Sequence, residues 1–156
     1  MIITHHHGDQ ERIIETIVID FNGTLAVDGV LVPGIKKKLQ QLSKMVKVVV
    51  LTGDTYGTAG EQMEGSGVEI HSFTSGNAGR MKADFMNGLN PERTAAIGNG
   101  YNDQMMSEVA GLSIAVIGDE GCYGKLLDKV DIIVVDIHKA LDLFLHPKRI
   151  KATLNQ

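Results

Sequence analysis

The sequence predicts an α/β fold, a doubly wound parallel sheet with helices on both faces. Three observations carry this. Stretches 17–19, 48–51 and 132–135 are apolar without interruption, the mark of strands buried on both sides. Segments with apolar residues at helical spacing lie between them. The connections are short, as crossovers between neighbouring parallel strands require.

The elements follow in order. Met1-Ile2-Ile3 reads as a small edge strand, with a turn through Thr4 to Gln10 and a lead-in to the first core strand. His5, His6 and His7 fall in that turn. Imidazole is a common metal ligand, but three consecutive loop residues seldom face one ion, so they read as a solvated loop or a fragment of a purification tag. The first core strand covers 17–20 and ends on Asp20. Asp28-Gly29 between apolar pairs predicts a hairpin over 26–32. Pro33 opens a helix whose Ile35, Leu39 and Leu42 share a face, with Lys36, Lys37 and Lys38 on the solvent side.

Residues 46–51 form the second core strand. Thr52-Gly53 follows it, and Asp54 or Thr55 caps a helix that stops near Gly65 and Gly67. A short strand at 68–70 precedes a helix at 78–86 that carries Arg80 and Lys82 and is closed by Asn87-Gly88. The strand at 94–97 runs into a polar turn ending at Asp103. A helix at 104–110 then places Met105, Met106 and Val109 as core contacts. The remainder reads as a strand at 113–117, a helix at 121–129, a last strand at 132–135 and a helix at 138–145 with Leu141, Phe144 and Leu145 inward. Residues 148–156 read as a short basic tail or final turn. No linker, repeat or low-complexity segment interrupts the chain, so 1–156 reads as a single Rossmann-like domain.

Composition narrows the class. The 156 residues are enough for a substantial core, and 43% hydrophobic with 22% charged residues is ordinary for a soluble globular protein. A net charge of −4 argues against a nucleic-acid partner. The single cysteine, Cys122, allows no internal disulfide, argues against structural zinc and fits a reducing, cytoplasmic setting. No apolar run approaches ~18 residues, so no membrane span is expected, and the start lacks a signal-peptide layout.

Three polar clusters stand at the carboxyl ends of successive strands: Asp20-Phe21-Asn22-Gly23-Thr24, Thr52-Gly53-Asp54, and Gly98-Asn99-Gly100-Tyr101-Asn102-Asp103. Open α/β sheets bind ligands at that rim, so the clusters converge. Lys82 lies between the second and third.

In this order the residues resemble the haloacid dehalogenase-like superfamily over nearly the whole chain. That family carries a nucleophilic aspartate in an Asp-x-Asp-Gly-Thr-type motif, a Ser or Thr ending the second strand, a Lys or Arg, and a late acidic motif. Asp20 to Leu25, Thr52, Lys82 and Gly98 to Asp103 match. Leu51-Thr52-Gly53-Asp54 and the segment from Gly98 to Leu145 further resemble the phosphorylation domain of P-type ATPases, and the small soluble group related to them. The hairpin at 26–32 stands where other members insert a cap domain, so the resemblance implies a capless protein.

The resemblance implies a magnesium-dependent phosphohydrolase or phosphotransferase. Asp20 would be the nucleophile and form an aspartyl-phosphate. Mg2+, which prefers oxygen ligands, would be held by Asp20, the Asn22 carbonyl, Asn99 and Asp103. Thr52 and the Gly53 amide would grip phosphoryl oxygens, with Lys82 neutralising charge. Two residues depart from the family pattern. Asn22 stands where an acid/base aspartate is expected, which implies slow hydrolysis, since that help is typically worth ~10²–10⁴-fold. Asn99 stands where a metal carboxylate is expected, which implies weaker magnesium binding and more reliance on Asp103. Both precede glycine, so deamidation to aspartate is a further hypothesis. The expected partner is a small phosphorylated substrate or a phosphorylated macromolecule, with a homo-oligomer able to enclose the open site. Tyr56, His71, Arg80 and Tyr101 are within the set that could meet it. The alternatives are a catalytically weak phosphate-binding or regulatory module, and a capless sugar-acid phosphatase.

Overall fold

The computed structural model describes residues 1–6, 10–53, 58–73 and 76–155. In chain order the strands and helices are β1 (Ile2–His6), β2 (Gln10–Ile14), β3 (Thr16–Asp20), β4 (Ala26–Val27), β5 (Val30–Leu31), α1 (Ile35–Leu42), β6 (Lys47–Thr52), α2 (Ala59–Met63), β7 (Glu69–Ser72), α3 (Ala78–Asn87), β8 (Thr94–Gly98), α4 (Gln104–Val109), β9 (Leu112–Val116), β10 (Ile132–Val134), α5 (Ile137–Leu145) and α6 (Lys148–Leu154). Six strands form one sheet in the order β10-β9-β8-β3-β6-β7, and every neighbouring pair is parallel. This is the Rossmann-like doubly wound architecture expected from the continuous apolar runs.

β3 lies at the centre, and all five of its residues are buried. Alternation along the strand sends Ile17 and Ile19 into one core and Val18 into the other. The larger core joins them to Phe21, Leu39, Leu42, Ile114, Leu141 and Phe144. The smaller, on the α3–α4 side, joins Val18 to Val49, Leu51, Met86, Ala96 and Met106. Each such fully buried aliphatic side chain contributes about 1.5–3 kcal/mol of transfer free energy, so β3 and the carboxylate at its end are firmly held.

The hairpin after β3 takes the expected turn. Asp28 and Gly29 have φ of 50° and 77°, the left-handed pair that a two-residue turn between twisted strands needs. No more than this hairpin separates β3 from α1. On α1, Ile35, Leu39 and Leu42 are buried as the spacing predicts. Lys38 is not simply solvated, however: its Nζ lies 2.5 Å from Asp142 on α5.

Several boundaries differ from the sequence reading. Ile2–His6 and Gln10–Ile14 pair as antiparallel strands, with Ile2 opposite Ile14, and His5 and His6 belong to β1 rather than to a turn. His7 lies outside the described residues, as do Asp54, Thr55 and Tyr56; the helix after β6 is described from Ala59. The helix after Pro33 begins at Ile35. The helix expected at 121–129 is a 3-10 helix over 124–129, and Met105 is 45% exposed, whereas Met106 is buried in the smaller core and Val109 packs against it. Segment 148–154 is a helix that buries Ile150, not a tail. No helix among the described residues is long and apolar enough to cross a membrane.

Candidate active site

The parallel register places Asp20 opposite Leu51, so Asp20 and Thr52 finish neighbouring strands at one rim. β8, on the other side of β3, brings up Gly98 and the turn behind it. After Asp20 the chain folds back at once: the Phe21 carbonyl accepts from the amides of Thr24, Leu25 and Ala26. That turn puts the Thr24 hydroxyl 3.2 Å from Asp20 Oδ2 and 3.1 Å from Asn99 Oδ1. Gly23, at φ 79°, packs so tightly that a Cβ there would come within 2.4 Å of Asn99 Nδ2.

Lys82 reaches the same place from α3, whose amino end is capped by Asn77 accepting from the Arg80 amide. It is 1% exposed. Its ammonium has three donors, and three acceptors meet them: Asp20 Oδ1 at 2.5 Å, Asp103 Oδ1 at 2.7 Å and Asn102 Oδ1 at 3.1 Å. The other Asp103 oxygen accepts from the Asn99 and Gly100 amides at 3.0 and 2.9 Å. Gly98 makes room for this carboxylate, since a Cβ at that position would lie 2.4 Å from Asp103 Cγ.

Two carboxylates and one ammonium thus share a buried space with one net negative charge. Burial, reinforced by the Asp103 charge, pushes the Asp20 carboxyl up to about 7 against the opposing pull of Lys82 and Thr24. Burial alone would lower the Lys82 pKa, but the two carboxylates outweigh it and hold the lysine above its ordinary value. Asp20 opens on a pocket of about 290 Å³ that it lines with Asn22, Gly53, Asn99, Gly100, Tyr101 and Asn102. A larger depression of about 480 Å³ lies at the opposite end of the sheet, where Glu11, Arg12, Glu92 and Arg93 surround no comparable group.

Most of the residues named from sequence therefore meet. Asp20, Lys82 and Asp103 are in direct contact. Asn22, Gly53 and Asn99 line the pocket, and Thr52 is buried at the adjoining strand end. Asp103 is placed differently from expectation: both its oxygens are engaged behind Lys82, and it does not line the pocket. Two contributors were inside the motifs but given no role, Thr24 against Asp20 and Asn102 against Lys82. His71 pairs with Glu69 at the edge of the sheet, and Arg80 lies near Asp84 on the exposed side of α3. The deamidation hypothesis meets an obstacle: the Gly23 amide donates to the Ala26 carbonyl and the Gly100 amide to Asp103, so neither is free to attack the preceding side chain.

No family model matches the chain. An uncharacterized protein of Methanocaldococcus jannaschii is 51% identical over 62 residues, 40% of this chain and 67% of that protein. Solved structures resemble the whole fold at low identity. The cobalt-bound deoxy-D-mannose-octulosonate 8-phosphate phosphatase of Haemophilus influenzae is 19% identical with a TM-score of 0.72, covering 87% of this chain and 90% of its own. The 3-deoxy-D-manno-octulosonate 8-phosphate phosphatase of Moraxella catarrhalis, solved with magnesium, phosphate and sugar acid, is 18% identical with a TM-score of 0.69, covering 90% and 92%. A Streptomyces avermitilis protein assigned to the HAD family hydrolases is 17% identical with a TM-score of 0.67, covering 86% and 87%. The chain belongs to one family with the Methanocaldococcus protein, and its fold is that of the haloacid dehalogenase-like (HAD) superfamily.

Proposed function

We propose that the protein is a phosphohydrolase or phosphotransferase that carries the phosphoryl group on Asp20. The observation that supports this most is the position of the Asp20 carboxylate, at the end of the central strand and the mouth of a pocket, with Lys82 at 2.5 Å and Asp103 behind it. An Asp20 oxygen forms a bond to phosphorus as the ester P–O bond breaks. Lys82 balances charge as it spreads over the phosphoryl oxygens. Thr52 and the Gly53 amide sit at the adjoining strand end to receive those oxygens. The departing oxygen takes its proton from solvent, because the Asn22 amide has none to give. Water then attacks phosphorus and releases phosphate from Asp20, again without a base at position 22.

Magnesium fits the donor types of the residues that line the pocket. The Asp20 carboxylate, the Asn22 carbonyl and the Asn99 amide oxygen are hard oxygen donors of the kind the ion prefers, and Asp103 anchors the Asn99–Gly100 turn. Magnesium bound there would reduce the repulsion between a phosphate dianion and Asp20. With two of the three donors uncharged, its affinity is lower than an all-carboxylate site would give. Among the described residues no group of three or more His, Cys, Asp or Glu is placed to hold a metal ion, so the ion would rely on carbonyl and amide oxygens beside Asp20.

The hairpin over β4 and β5 leaves the rim open, which supports a capless protein of the soluble P-type-ATPase-like kind. Two of the structural neighbours are phosphatases of a phosphorylated sugar acid, so a small phosphorylated substrate is the leading partner class. A second reading, a slow phosphate-binding or regulatory module, is favoured by Asn22. Hydrolysis of an activated aryl phosphate, with and without magnesium, separates the two. The proposal expects turnover in the wild type and none in Asp20→Asn. A silent wild type together with a silent Asn22→Asp variant supports the module.

A further inference from the structure

Two depressions meet at Tyr101. One is the pocket that holds Asp20. The other, about 350 Å³, lies on the α3–α4 side, and Tyr101 and Asn102 line both. We propose that this second groove receives the organic half of the phosphate ester and that this half is a nucleobase, which makes the substrate class a nucleoside 5′-monophosphate. The inference rests on the reading of Asp20 as the phosphoryl acceptor.

Tyr101 is 72% exposed, far more than an aromatic ring needs for packing. Its ring is nonetheless fixed. Tyr123 meets it edge-to-face, with centroids 5.3 Å apart at 81°, and the Tyr123 amide is itself tied to the Asn99 carbonyl at 2.8 Å. A fixed, exposed ring beside a catalytic carboxylate is a stacking surface for a planar group. The groove beyond it suits a base in two further ways. Its remaining wall is Ala78, Gly79 and Met105, with the amides of Asn77, Asn102 and Gln104. Gly79 keeps that wall flat, because a Cβ there would stand 3.3 Å from the Asn102 carbonyl. The Asn77 and Asn102 oxygens accept from the Arg80 amide and Lys82, and Gln104 Nε2 donates to the Tyr101 carbonyl, so the Nδ2 groups of the two asparagines and the Gln104 oxygen are the donors and acceptor that would meet the edge of a base. None of the described lining residues is charged, so among them a second phosphate or the carboxylate of a sugar acid finds no cation.

The test compares adenosine and uridine 5′-monophosphate with ribose 5-phosphate, which has the same leaving oxygen and no base. Wild type is expected to show kcat/KM at least about tenfold higher for the nucleotides, the scale of one base–aromatic stack. Tyr101→Ala is expected to bring that ratio close to one, and Tyr101→Phe to preserve it. Equal kcat/KM for all three esters overturns the nucleobase inference and leaves the phosphatase reading standing. If none is turned over, hydrolysis of an aryl phosphate decides the phosphatase reading separately, and calorimetric titration with adenosine 5′-monophosphate decides the groove alone: binding weakened about tenfold by Tyr101→Ala but not by Tyr101→Phe upholds it, and binding unchanged in both, or absent from the wild type, overturns it.

Discussion

Lys82 Nζ lies 2.5 Å from Asp20 Oδ1 across 62 positions of sequence, and both groups are buried. The lysine spends its other two donors on Asp103 and Asn102. Among the described residues it is therefore the cation that lets two carboxylates sit side by side out of water.

Removing it exposes the cost of that arrangement. Lys82→Met is expected to destabilise the metal-free protein by about 3–5 kcal/mol, because Asp20 and Asp103 are left buried and unneutralised. Adding Asp20→Asn is expected to recover part of the loss. Urea denaturation of the two single variants and the double variant measures the coupling; strictly additive effects would show that the two groups do not interact.

The pH dependence of stability has a definite sign. The Asp20 carboxyl is raised from 3.8 to about 7 by burial and by Asp103, so between these values the folded protein holds a proton that the unfolded chain has released. Stability from this group is full below about pH 4 and is lost as pH rises through about 7. In chelator, the midpoint of thermal unfolding of wild type minus that of Asp20→Asn should fall steadily from pH 4 to pH 8. A constant difference across that range contradicts the assignment.

How much of this was legible in the sequence depends on whether local pattern or distant pairing decides an element. The core strands were legible because 17–19 and 48–51 have no polar interruption, and the hairpin because Asp28-Gly29 admits one turn. The amino-terminal hairpin was not, since its register rests on Ile2 meeting Ile14 and the histidine run obscures the strand. Helix α6 was hidden for a related reason: it offers one fully buried side chain, Ile150, too little to set up a visible period. At the site, the order of Asp20, Thr52, Lys82 and Asp103 indicated convergence. Spacing could not show which way the Asp103 carboxylate faces, and it faces Lys82 and the Asn99–Gly100 amides.

In the proposed reaction Asn22 limits the rate. Asn22→Asp supplies a group able to protonate the leaving oxygen and then activate water, so kcat on an alkyl phosphate is expected to rise about 10²-fold or more. The gain should be smaller on an aryl phosphate, whose leaving oxygen needs no proton. Steady-state kinetics on both esters checks this, and equal gains would assign Asn22 some other role.

In the proposed site Asn99 limits the metal affinity. Asn99→Asp adds a third carboxylate beside Asp20 and Asp103. It is expected to lower the thermal midpoint in chelator and to enlarge the rise on adding magnesium, as tighter binding to the folded state requires. Thermal scans with and without the ion read both effects; an unchanged response to magnesium places the metal away from Asn99.

The proposed reaction turns on Asp20 carrying the phosphoryl group. Rapid acid quench of a reaction with an aryl phosphate, followed by peptide mapping by mass spectrometry, tests that most directly. The expected result is one phosphoryl adduct on the peptide containing Asp20, absent from Asp20→Asn and more abundant in wild type than in Asn22→Asp. Turnover with no adduct on that peptide, or with the adduct on another residue, would contradict it.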